Sequence, residues 1–115
     1  MLNVSIVLYK HRVSDISPLV KILQNSGLVS EIFLIDNSPN ENKGFEELNV
    51  KYIFNNNNLG YGRAHNIALR KSINTNIPYH LVVNLVYDFL IDQFDNFFLF
   101  SYSFFSKVKQ INDKT

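Results

Sequence analysis

Residues 50–73 read VKYIFNNNNLGYGRAHNIALRKSI. The stretch opens as a short apolar strand, Val50 to Phe54, and breaks on the asparagines Asn55 to Asn58. It then passes Gly60 and Gly62 and continues from about Arg63 to Ser72 as a helix with Ala64, Ile67 and Ala68 on its buried side. A strand that turns through glycines into a helix is the repeating unit of a layered α/β protein. The flanks carry the same signal. Asn3 to Tyr9, Glu31 to Asp36 (EIFLID) and Tyr79 to Asn84 are rich in Val, Ile and Leu, the composition of strands covered on both faces, as parallel strands are. Ser17 followed by Pro18 predicts a helix start, Ile16, Leu19, Val20 and Leu23 form one apolar stripe, and Gly27 stands where a C-terminal cap belongs. The order strand, helix, strand, strand, helix, strand predicts the α/β fold class, with a mostly parallel sheet and right-handed crossovers.

Composition narrows the function classes. At 115 residues the chain holds one domain at most. Its net charge of +1 gives no electrostatic footprint for nucleic acid, so no nucleic-acid partner is expected. The absence of cysteine removes disulfides, thiolate zinc sites and a cysteine nucleophile, and fits a reducing, cytoplasmic setting. The opening MLNVSIVLYKHR places its basic residues after a short apolar run, which is not the order of a signal peptide. The most apolar stretch, Leu81 to Phe105, is interrupted by Asp88, Asp92 and Asp95, so no transmembrane segment is expected. Seven of the ten phenylalanines fall between Phe89 and Phe105, and no element is assigned there; the division expected is an α/β domain over 1–84 and a divergent phenylalanine-rich tail over 85–115.

In an open α/β sheet, ligands settle beyond the carboxyl ends of the strands. Each predicted strand here ends on polar residues: Tyr9, Lys10 and His11; Asp36, Asn37 and Ser38; the asparagine run; and Asn84. Two readings of Asp36 stay open, a carboxylate that accepts from a ribose hydroxyl or base N–H, and the start of an Asx-turn ahead of Pro39. Tyr9 either stacks on a base or stands in water. Gly60 and Gly62 allow close backbone approach, a helix N-terminus favours anions, and Arg63 offers a donor fork suited to phosphate; the alternative is a glycine-rich connection with a solvated arginine. The third glycine of a dinucleotide fingerprint is replaced by His65, which reads as a surface or helix-packing histidine.

The blocks VSIVLYKHR, EIFLIDNSPN, NNNNLGYGRAHNIAL and YHLVVN, in this order and spacing, resemble family-2 glycosyltransferases, especially the rhamnosyltransferase-like group, over about three quarters of the chain. The middle block carries most of the likeness, through Asn58, Gly60, Tyr61, Gly62, Ala64 and Asn66. The resemblance implies the Rossmann-like nucleotide-binding half of the type-A glycosyltransferase fold. It also implies transfer of a sugar from a nucleoside-diphosphate donor to a glycan or lipid-linked acceptor in surface polysaccharide synthesis, with Mg or Mn. Carried over, Tyr9 and Asp36 contact the nucleoside, and Asn58, Gly60, Arg63 and Asn66 line the donor site.

The likeness stops after the fourth strand. There the family carries N-P-D-V or a related D-x-D whose carboxylate holds the metal, whereas this chain reads Asn84-Leu85-Val86-Tyr87-Asp88. Asp88 is the candidate metal ligand, with a solvated carboxylate as its alternative. No residue is assigned as catalytic base. The expectation is therefore a truncated nucleotide-sugar-binding domain, inactive in transfer. The alternative is a non-catalytic or frameshifted remnant with weak or no nucleotide binding, and a third reading places the aromatic tail against the inner face of a membrane.

Overall fold

The computed structural model describes residues 1–87 and 102–110, the last two residues of the first span and all of the second through their backbone. The elements are β1 (Leu2–Leu8), α1 (Val13–Asn25), β2 (Val29–Asp36), a 3₁₀ helix (Lys43–Leu48), β3 (Lys51–Phe54), α2 (Gly60–Ile73), β4 (Tyr79–Tyr87) and β5 (Tyr102–Gln110). They form one sheet in the order β3-β2-β1-β4-β5; the first four strands are mutually parallel and β5 runs antiparallel to β4. The fold class is thus α/β with a mostly parallel sheet, as the sequence predicts. The sheet continues past the expected 84/85 boundary: β4 runs on to Tyr87, and Tyr102–Gln110 pairs along its whole length.

Strand alternation sorts the side chains into two layers. Val4, Ile6, Leu8, Ile32, Leu34, Val83 and Leu85 form a core with Ile16 and Val20 of α1 and Phe45 of the 3₁₀ helix. Val7, Phe33 and Ile35 pack on the other face against Ala64 and Ala68 of α2. The alanines let α2 lie close to the sheet. Connections through α1 and the 3₁₀ helix step one way across the sheet on one face, and the connection through α2 returns past β1 on the other, so all share one hand.

Helix α1 departs from the expected start at Ser17-Pro18. It begins one turn earlier, because Asp15 accepts the Arg12 backbone N–H at 2.9 Å and closes the helix entry there. Pro18 therefore lies inside the helix, and the carbonyl four residues back belongs to the exposed Ser14, where water can satisfy it. At the other end Gly27 takes a φ of 77°, the left-handed conformation expected of a helix stop. Helix α2 likewise starts earlier than expected, at Gly60 rather than near Arg63.

Candidate functional site

The carboxyl ends of β1 to β4 lie on one edge of the sheet, and the polar residues that end them organise one another. Asp36 is almost fully buried. Its Oδ1 accepts from the Ser38 backbone N–H at 3.0 Å and the Ser38 hydroxyl at 2.5 Å, while Oδ2 accepts from the Tyr52 hydroxyl at 2.5 Å. Ser38 Oγ in turn accepts the Lys10 N–H at 2.6 Å, and Tyr52 Oη accepts the Asn42 N–H at 3.0 Å. One carboxylate thus ties together the loops after β1 and β2 and the strand β3. Of the two readings of Asp36, the structure displays the Asx-turn. Burial and the adjoining carboxylate both raise the Tyr52 pKa, which keeps its phenol a donor.

Asn37 clamps the next loop. Its N–H donates to Leu8 O at 2.8 Å, its Oδ1 accepts from Asn55 Nδ2 at 2.7 Å, and its Nδ2 donates to Gly60 O at 3.2 Å and Asn58 Oδ1 at 3.4 Å. Asn58 Oδ1 also takes the Gly60 N–H at 3.0 Å, an Asx-turn that delivers the chain into α2. Asn56 sits at a φ of 57° and Gly60 at 80°, both left-handed. A Cβ added at Gly62 would meet nothing within 4 Å, so the first turn of α2 offers bare backbone to solvent, where orphan N–H groups and the helix dipole favour an anion. Tyr61 reaches from this turn toward Leu85 O, at 3.4 Å.

The direction of chain progression reverses between β1 and β4. Ile6 and Val83 are the last residues these strands pair; beyond them β1 stays paired with β2 and ends at Leu8, while β4 continues through Asn84. The opening between them, overhung by the start of α2, is the topological switch point at which open α/β sheets bind ligands. Tyr9 stands at its rim, 45% exposed, with Lys10 Nζ 5.3 Å from the centre of its ring. The Tyr9 N–H donates to His11 Nδ1 at 2.9 Å, and burial lowers the His11 pKa against the opposing pull of Asp15 and Asp36, so its imidazole is held neutral.

A polar layer lies between α2 and the sheet, made by residues that strand alternation turns away from the α1 core. Asn3 and Ser5 of β1, His80 of β4, and His65 and Ser72 of α2 are all buried. Asn3 Nδ2 is 2.6 Å from Ser72 Oγ, Ser72 Oγ 3.0 Å from His80 Nδ1, His80 Nε2 2.9 Å from Ser5 Oγ, Ser5 Oγ 2.7 Å from His65 Nδ1, and His65 Nε2 2.8 Å from Asn84 Oδ1. Desolvation lowers both histidine pKa values; that of His80 falls to about 4, with the neighbouring His65 adding to the effect. Phe33 stacks on His80 with ring centres 6.3 Å apart.

The predicted site residues separate under this geometry. Tyr9, Asn58 and Gly60 lie around the strand-end opening. The Asp36 carboxylate belongs to the α1 side, with Ile32, Leu34 and Tyr52. Arg63 and Asn66 are exposed on α2, and at 100° per residue they lie opposite Ala64, His65, Ala68 and Ser72, the side that meets the sheet. Arg63 and Asp36 are therefore not brought together. His65 is buried between α2 and the sheet, the helix-packing alternative of its two readings. Asp88, the candidate metal ligand, lies outside the described residues. Among the described residues no three His, Cys, Asp or Glu side chains converge. Also among them, no helix is long and apolar enough to cross a membrane.

Sequence reasoning named Asn37 and Asn55 only as polar strand-end residues, without a role, and passed over Tyr52, His80 and the Asn3/Ser5 pair. The last had a legible signal, polar residues two apart in an apolar strand. Two open cavities of about 560 and 580 Å³ flank β3 and the start of β2, away from the strand-end opening. They face Gln24 near the end of α1 and Lys71 near the end of α2, helix C-termini whose dipole disfavours an anion, so the carboxyl edge is the better candidate site.

No protein-family model matches the chain, and no curated protein matches it significantly. Fold and site together define a small α/β domain with a mostly parallel sheet and a polar opening at the carboxyl ends of its strands.

Proposed function

We propose that the domain binds a nucleoside-diphosphate sugar at the carboxyl edge of its sheet, as the nucleotide-binding half of a type-A glycosyltransferase does. The observation that carries this reading is the opening between β1 and β4 under the bare first turn of α2, which joins a switch-point crevice to an anion-favouring helix start. The motif order of the sequence supports it independently. The diphosphate sits at Gly60 to Gly62, the base beside Tyr9, and Asn58 holds the glycine turn. Asp36 shapes the rim through Ser38 and Tyr52 instead of gripping the ligand. The acceptor in such a reaction is a glycan or lipid-linked hydroxyl, and Mg or Mn is the metal the resemblance implies.

A second reading, a remnant that binds weakly or not at all, is favoured by the internal use of both Asp36 oxygens and by the altered N-P-D-V block. Calorimetric titration of the whole chain with UDP, dTDP and GDP, with and without Mg or Mn, decides between them. Saturable heat with one of the three is expected, and none with any of them leaves the remnant reading standing.

A further inference from the structure

The polar layer under α2 has a direction. A side-chain amide can be placed either way round from its shape alone, and only its partners decide the matter. Here the decision starts at a backbone group with a single option. The Glu31 N–H donates to Asn3 Oδ1 at 3.1 Å, which turns the Asn3 amino group toward Ser72 and Thr75. The Thr75 hydroxyl donates to Ser72 O at 2.6 Å, so it receives from Asn3. Ser72 Oγ also receives from Asn3, and its own proton must go to its other partner, His80 Nδ1.

From that point each link forces the next. A neutral His80 with Nδ1 accepting carries its proton on Nε2 and donates to Ser5. Ser5 then gives its proton to His65 Nδ1. His65, neutral and protonated on Nε2, donates to Asn84, which must present its carbonyl oxygen. A backbone N–H on β2 thereby fixes which way round an amide stands on β4. Every buried polar side-chain atom among the described residues has a partner, so the layer has no loose end at which the order could reverse.

Asn84 is the end of this chain and the first residue of β4 past its last pair with β1. It is partly exposed, and among the described residues its amino group donates to nothing. Resting on the reading of the strand-end opening as a diphosphate site, we infer that Asn84 is a ligand-binding residue whose amino group is held outward as a hydrogen-bond donor to the anionic oxygens of the ligand. Unlike the Arg63 fork on the outer side of α2, this donor is set in place before any ligand arrives, and so loses little side-chain freedom on binding.

The test uses the full chain with UDP and uridine as probes. Long-range proton–nitrogen correlation spectra near neutral pH should show His65 and His80 both as Nε2–H tautomers, and the Asn84 side-chain amide resonances should shift with UDP. Asn84→Asp keeps an oxygen for His65 but removes the donor, and should weaken UDP roughly tenfold or more while retaining the His65 tautomer. Asn84→Leu removes the donor without adding charge, and should weaken UDP roughly fivefold while leaving uridine unchanged. UDP binding by Asn84→Leu equal to that of the wild type, in a chain with native histidine spectra, overturns the assignment of Asn84 alone. A Nδ1–H tautomer at His65 overturns the orientation argument. Wild-type protein that binds none of UDP, dTDP and GDP removes the site itself, and the inference with it.

Discussion

The Tyr52 hydroxyl donates to Asp36 Oδ2 at 2.5 Å and so uses the carboxylate oxygen that the Ser38 turn leaves open. A buried acid with both oxygens taken by its own protein is a structural keystone first. Tyr52→Phe strips one bond from Asp36 and one from the Asn42 N–H, and should cost about 2 kcal/mol. Asp36→Ala leaves several donors unanswered and should cost about 3 kcal/mol or more, a fall of roughly 10 to 20 °C in Tm. Thermal unfolding of both variants checks the order; an Asp36→Ala chain as stable as the wild type, with nucleotide binding lost, would return Asp36 to the ligand.

Arg63 gives the converse expectation. Because it projects from the solvent side of α2, Arg63→Ala should change nucleotide affinity by no more than about twofold, the scale of a screened, exposed charge. Calorimetry against the wild type reads this directly, and a tenfold loss would show that the guanidinium reaches round to the diphosphate.

Gly60 is the glycine of this turn whose backbone demands the residue. At a φ of 80°, alanine is strained although its Cβ would meet no neighbour, so Gly60→Ala should cost about 1 kcal/mol or more. Gly62→Ala, with open space and an ordinary φ, should leave stability unchanged or slightly raised, since alanine suits a helix better. Paired melting curves test the contrast.

Acid should unfold the domain through its buried histidines. The His80 pKa is about 4 in the folded chain against an ordinary 6.5, so between those values the unfolded chain binds more protons. Stability is then fully present above pH 6.5 and falls as the pH drops through this window, by on the order of 3 kcal/mol from His80. His65, also lowered, adds in the same direction. Urea midpoints measured from pH 7 to 4 should fall for the wild type and fall less for His80→Gln, if that variant folds.

Ser5 tests the polar layer as a unit. Ser5→Ala leaves His80 Nε2–H without an acceptor and His65 Nδ1 without a donor in a dry interior, and should cost about 2 to 4 kcal/mol, far more than one exposed serine. Chemical unfolding reads the cost.

The layered α/β plan was legible because it rests on local signals: apolar runs such as EIFLID, the glycine at position 27, and the Gly60 turn, each of which declares its conformation within a few residues. The start of α1 was not, because Ser17-Pro18 is a stronger textual signal than the Arg12–Asp15 contact that sets the entry. The 3₁₀ helix at Lys43–Leu48 escaped for want of a periodic stripe; Phe45 is its one buried anchor. At the site, the strand-end edge could be read but the partition of its residues could not. Whether Asp36 faces a ligand or Tyr52 depends on a residue 16 positions away, and whether Arg63 faces inward depends on which side of α2 the sheet takes. His80 could not be seen at all without Ser5, 75 positions earlier.

Because all the bonds from Asn3 to Asn84 run the same way, these positions cannot vary one at a time. A residue that swaps a donor for an acceptor at a link, such as aspartate for Asn3, sets two lone pairs face to face and obliges every member downstream to turn over or be replaced as well. Tolerated change in this layer should therefore come in sets, whereas the apolar face beneath α1 can drift one methyl group at a time.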